Sequence, residues 1–162
     1  MTASPRFRAV LRWAGLAGRL IVGGVLVVAG ALKAARPAEE FAYVIDAYRV
    51  VSSVYSLNLA RMLPWIEMFL GFSLVIGNWT KAGAVSAGIL LAGFLSALLS
   101  LPLRGLSLPD CGCFGGGFHP SIAHAVLMDA VLLFLCVPAF LGGERAPSWD
   151  AWVESGRTPG NG

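Results

Sequence analysis

From Ala82 to Leu103 the chain runs for 22 residues without a single charge, bounded by Lys81 and Arg104. A helix needs about 20 such residues to cross a ~30 Å hydrocarbon layer, so the stretch predicts a transmembrane span. In lipid every backbone polar group must be satisfied internally, which leaves the rest of the chain few options besides more helices. Met62 to Thr80 meets the same length, interrupted only by Glu67. Ile122 to Leu141 does so with His124 and Asp129 inside it, and Gly142-Gly143 stops it. A shorter apolar run, Leu20 to Leu32, is extended toward the N-terminus by Trp13 to Gly18. Four spans are therefore expected, near 14–35, 58–78, 82–102 and 121–141. Composition agrees: 57% of residues are hydrophobic and 13% charged, too little polar surface to cover a water-soluble globule of this size. Disorder and a disulfide-dense secreted scaffold are both excluded, the latter because three cysteines cannot staple it.

The expected fold is all-α: a polytopic four-transmembrane-helix bundle over 14–141, with an outer-face cysteine loop and a flexible cytoplasmic tail at 142–162. The first span has a competitor, since a basic start (Arg6, Arg8, Arg12), a short apolar run and small residues at Ala29-Gly30-Ala31 also describe a cleavable signal peptide. A retained helix is the preferred assignment. With the N-terminus inside, seven basic residues fall on the cytoplasmic side (Arg6, Arg8, Arg12, Arg19, Lys81, Arg145, Arg157) and five on the outer side (Lys33, Arg36, Arg49, Arg61, Arg104). That bias gives the expectation that both termini are cytoplasmic. Residues 36–57, which hold Phe41, Tyr43, Tyr48 and Tyr55, are expected to form an interfacial amphipathic helix with rings at headgroup level. Ala84, Gly88, Ala92, Ser96 and Ser100 recur every four residues and are expected to form a packing ridge for a neighbouring helix.

Chemistry has two candidate locations. Cys111-Gly112-Cys113 lies in the outer loop before the last span. A disulfide across one glycine closes so small a ring that it adds little stability, and a strained link of that kind is an exchangeable one. A redox pair is thus better motivated than a structural staple. Metal binding by Asp110, Cys111, Cys113 and His119 is the competing use, but structural zinc sites space their cysteines more widely. Cys136 sits deep in the last span as a small buried thiol. The second location is inside the bilayer. Glu67 lies ~14 Å and Asp129 ~12 Å below the outer ends of their spans, so the two carboxylates share a depth. They form a candidate intramembrane pair, serving either proton exchange with a quinone-like or thiol couple or helix register alone. Lys33 and Arg61 are expected to snorkel to the headgroups, and with Arg104 they make the outer mouth electropositive, which favours thiolate at Cys111 or Cys113.

Gly30-Ala31-Leu32-Lys33 followed by Pro37 and Phe41, Pro64-Trp65-Ile66-Glu67 with Gly71, and Cys111-Gly112-Cys113-Phe114-Gly115 together resemble the methylamine utilisation protein MauE family, within the wider DoxX-like membrane proteins. The resemblance covers roughly 15–140. It implies a four-helix bundle with a redox-associated role, in the namesake system assisting disulfide formation in a periplasmic subunit of methylamine dehydrogenase. DoxX-like relatives imply a membrane quinone as the associated cofactor. The family often carries an arginine beside the polar residue of the last helix, where this chain has Met128 before Asp129. The leading expectation is a redox accessory protein, a thiol–disulfide oxidoreductase in which Cys111 and Cys113 exchange a disulfide with a periplasmic thioredoxin-like or disulfide-containing protein. The alternatives are a non-catalytic membrane subunit or assembly factor with a structural cysteine loop, and a small proton-coupled transporter. No metal, second cofactor or nucleic-acid partner is expected.

Overall fold

The computed structural model describes residues 5–49, 51–104, 122–142, 149 and 152–153. Within them the chain forms α1 (Pro5–Ala34), α2 (Ala38–Ala47), α3 (Ser53–Ile76), α4 (Thr80–Leu103) and α5 (Ile122–Gly142). Four of these are long and apolar enough to cross a membrane: Ala9–Ala34 of α1, and α3, α4 and α5 entire. No strand occurs among the described residues. The protein is an all-α polytopic membrane protein, as expected. Of the tail, only Trp149, Trp152 and Val153 are described.

The spans form a ring in which α1 adjoins α3 and α5, and α4 adjoins α5 and α3. Therefore α3 and α5 face each other diagonally. The short turn from α3 to α4 forces those two to run antiparallel. It is built by Gly77 (φ 80°), whose N–H donates to Ser73 O at 2.9 Å, and by the Asn78 N–H on the same oxygen at 3.0 Å. Gly77 takes the left-handed conformation at little cost, and the Ser73 carbonyl near the helix end accepts from both N–H groups.

Without a hydrophobic force between helices in lipid, close backbone approach has to hold the bundle. The α1–α3 seam supplies it at two points one heptad apart. A Cβ built on Gly23 would stand 2.8 Å from Gly71 O, and one built on Gly71 would stand 2.6 Å from Gly23 O. One heptad along, a Cβ on Gly30 would stand 2.6 Å from Pro64 O. Gly71→Val therefore drives two backbones apart and is expected to lower stability by about 1–3 kcal/mol, read from reversible unfolding in mixed micelles.

Outward side chains are large and apolar, among them Trp13, Trp65, Phe69, Phe134 and Ile89, each more than half exposed. Such a surface is stable only against hydrocarbon. Inside, Val22, Leu26, Leu74, Ala84, Ala87, Leu91, Leu132, Cys136 and Ala139 make one apolar cluster. A second, of Tyr48, Leu98, Leu101 and Ala125, lies at the end where α2 sits.

Three expectations need correction. The ridge of small residues spaced by four on α4 is not its packed face: Ala84 is buried, but Ala92 and Ser96 are exposed. Residues four apart advance 400°, so each step drifts about 40° and the row spirals off the contact. The packed face instead follows Ala84, Ala87, Leu91, Leu98 and Leu101, while Ser96 and Ser100 donate to carbonyls of their own helix, at 2.8 and 2.7 Å. Residues 36–57 do not form one interfacial helix either, since Ser53 already begins α3. Tyr43 and Tyr55 are exposed, whereas Tyr48 turns inward and is 9% exposed. Finally, Arg19 is no flanking residue: it lies inside the first span and is buried.

Candidate intramembrane site

Between the two apolar clusters lies a cavity of about 460 Å³ to which all five helices contribute. Its walls are almost wholly apolar, with three charged side chains, Lys33, Glu67 and Asp129. Lys33 stands one residue from the end of α1. A helical Cα–Cβ bond tilts toward the helix N-terminus, which at this end points into the bundle and not toward the headgroups. The expected snorkelling is thus overturned: Lys33 is 4% exposed and donates to Glu67 Oε1 at 2.5 Å. Its ammonium also lies 5.5 Å from the Phe41 ring centroid and 5.3 Å from that of Phe94. The negative faces of the two rings partly replace the hydration a buried cation gives up.

Glu67 is fully buried and Asp129 is 4% exposed. They come from diagonal helices and line the same cavity, where the ion pair of Lys33 is with Glu67. Glu67 Oε2 and Asp129 Oδ2 are buried and have no hydrogen-bond partner. The Lys33 ammonium is paired with Glu67, and one oxygen of each carboxyl group is left buried without a hydrogen-bond partner. A buried oxygen without a donor costs about 1–3 kcal/mol, so this arrangement calls for protons or a ligand.

Helix α2 covers one end of the cavity with Phe41, Val44, Ile45 and Tyr48. Arg104, where α4 ends, donates from Nη1 to Arg49 O at 3.1 Å and Tyr48 O at 3.4 Å. A cation at these carbonyls also complements the helix dipole. Ser56 Oγ donates to Asp46 Oδ1 at 2.7 Å and ties α2 to α3. Arg104→Gln is expected to raise amide exchange several-fold over 44–48, measured by hydrogen exchange in detergent, with little change in α4. Arg61 stays at the surface near Glu39, 3.9 Å away. Exposed pairs of that kind contribute little.

Cys111, Cys113, Asp110 and His119 lie outside the described residues, so neither the redox nor the metal reading of them has a geometry here. The described residues that flank them, Arg104 and Ile122, both lie at the α2 end. Among the described residues no group of three or more His, Cys, Asp or Glu is placed to hold a metal. Cys136 is buried in the apolar cluster as a small hydrophobe. His124 is exposed in the first turn of α5.

Four apolar spans around an ionic cavity define a polytopic α-helical membrane protein with a charged interior. Residues 11–142 match the family described as methylamine utilisation protein MauE, and the chain belongs to that family. It is 34% identical over 109 residues to the methylamine utilization protein MauE of Paracoccus denitrificans, a match covering 67% of this chain and 59% of that protein. It is 29% identical over 99 residues to the protein of that name from Methylorubrum extorquens, covering 61% and 53%. With that of Methylophilus methylotrophus it shares 27% over 128 residues, covering 74% and 66%. The chain thus spans about three fifths of these relatives' lengths. The family match includes α1, which contributes Lys33 and both seam glycines, Gly23 and Gly30. No solved structure matches the chain.

Proposed function

We propose that the protein is a redox accessory factor of methylamine utilisation in the bacterial inner membrane, with both termini cytoplasmic and the α2 end facing the periplasm. Its Cys111–Cys113 disulfide accepts two electrons from a periplasmic dithiol. A partner thiolate attacks one sulfur and breaks that link, forming a mixed disulfide. The second partner thiolate then resolves it, leaving the partner oxidised and Cys111 and Cys113 as two thiols. A membrane quinone would be held in the cavity near Glu67 and Asp129, and would be the acceptor for the two electrons and two protons that the pair gives up on reoxidation. When bound, the quinone supplies the two-electron sink. The cavity fits such a ring in volume, in its apolar walls and in having the charged residues Lys33, Glu67 and Asp129 in its lining. Lys33 holds Glu67 in place, and the two carboxyl groups can take up and release the protons.

One observation carries this reading: the cavity that can receive a membrane-borne acceptor is covered by α2 at the same end as Arg104 and Ile122, the described residues that flank the cysteine segment. The competing reading, an assembly factor with a structural cysteine loop, keeps the same bundle but needs no sulfur exchange. Purified protein in nanodiscs, given a reduced dithiol substrate and a decyl-tailed benzoquinone, is expected to oxidise the dithiol catalytically. C111S/C113S is expected to show no turnover. Equal rates for the two proteins refute the exchange and leave the assembly role.

A further inference from the structure

Helix α2 covers the cavity with very little holding it down. None of its residues from Ala38 to Ala47 is buried, although Phe41, Val44 and Ile45 form part of the cavity wall. A segment with so little buried apolar surface opens locally at a small fraction of the cost of unfolding the bundle. Opening also recovers some free energy. The Phe41 ring, its centroid 5.5 Å from the Lys33 ammonium, moves away, and water can solvate that cation in its place.

The fastening is concentrated at the C-terminal end of α2. Arg49, just past that end, has φ 51°. A residue with a Cβ keeps this left-handed conformation only where its surroundings hold it there. Here the holder is Arg104 of the neighbouring α4, whose Nη1 donates to Arg49 O at 3.1 Å and to Tyr48 O at 3.4 Å. Ser56 Oγ adds a bond to Asp46 from α3, the helix that follows α2 in the chain. At the other end Pro37 joins α2 to α1, and Glu39 meets Arg61 in an exposed pair 3.9 Å apart, which contributes little. The Arg104 contact thus opposes the relaxation of a strained residue, and α2 has a held and a released state.

The other boundaries of the cavity do not admit a charged solute. Its far end is closed by the apolar cluster around Leu26, Leu91 and Leu132. Ile89 and Gly93, exposed lining residues near the middle of α4, face hydrocarbon. We infer that α2 is a lid, hinged at Pro37 and latched by Arg104, and that water and aqueous solutes reach the cavity holding Lys33, Glu67 and Asp129 only when the latch lets go. This gate stands on the cavity and its cover, and it holds whether or not the cysteine pair exchanges a disulfide.

The test uses the full chain in nanodiscs, with Cys111 and Cys113 changed to serine and Ala97→Cys added in the cavity wall beside Tyr48. Native Cys136, buried in the apolar cluster and outside the cavity lining, is kept as an internal reference. A negatively charged methanethiosulfonate, which lipid excludes, is followed at each thiol by peptide mass. Its rate at position 97 tracks the fraction of time the lid is open. R104Q is expected to raise that rate at least fivefold and to leave Cys136 unchanged. R49G is expected to label severalfold more slowly than R49A. Both lose the same charge, but glycine takes φ 51° without strain and so favours the held state. Rates at position 97 that ignore R104Q, or that are equal in R49G and R49A, overturn the inference. So does a rise at Cys136 in step with position 97, which means that the whole bundle has loosened.

Discussion

Lys33→Met is expected to destabilise the bundle by about 3–5 kcal/mol, the cost of removing one partner from a buried ion pair. The size comes from what remains: Glu67 is fully buried, and its nearest cation stood 2.5 Å away. Without the ammonium, two carboxyl groups share an apolar cavity with no cation among its lining residues. The Phe41 and Phe94 rings also lose the charge they face. Adding Glu67→Leu removes the orphaned charge, and most of the loss is expected to return. The double-mutant cycle in reversible mixed-micelle unfolding reads this directly. A loss under 1 kcal/mol for Lys33→Met contradicts an ionic link between α1 and α3.

The second large effect concerns the sulfur chemistry. The exchange is reversible: in the reverse direction one cysteine thiolate attacks the partner's disulfide, releasing one partner thiol, and the other cysteine resolves the mixed disulfide, so with an oxidised partner, removing the resolving cysteine stalls the reaction halfway. One of the single variants Cys111→Ser and Cys113→Ser is expected to accumulate a mixed disulfide, seen as a reductant-sensitive band shift on a non-reducing gel. Wild type and C111S/C113S should show almost none. A partner unaffected by all three variants, and matured normally, favours the non-catalytic assembly role. Growth on methylamine with and without the intact gene tests the physiological assignment separately.

The membrane architecture was readable from residues because lipid leaves so few choices. An uncharged run from Ala82 to Leu103 can hardly be anything but a span, and the structure returns it as α4, Thr80–Leu103. Glu67 and Asp129 were legible for the same reason, since a carboxyl group at that depth is costly enough to stand out. Their partner was not. Whether Lys33 meets Glu67 depends on α1 lying beside α3, which no local pattern states. The inward tilt of side chains at a helix C-terminus did carry a hint, and it favours the bundle over the headgroups. Gly30 and Gly71 were visible as family-like residues, but their work, letting backbones approach along the seam, appears only when the helices are paired. Conversely, the even spacing of small residues on α4 was misleading, because a period of four is not the period of a helix. The Cys-Gly-Cys spacing remains a chemical signal whose geometry lies outside the described residues.

Labelling residues 111 and 113 with a membrane-impermeant maleimide in intact cells, with Cys136 replaced by alanine, tests the central claim most directly. The account predicts no labelling before reductant and strong labelling after an impermeant reductant is added outside. Labelling that requires permeabilised membranes puts the pair on the cytoplasmic side, and labelling without reductant shows free thiols. Either result contradicts an exchangeable disulfide facing the periplasm.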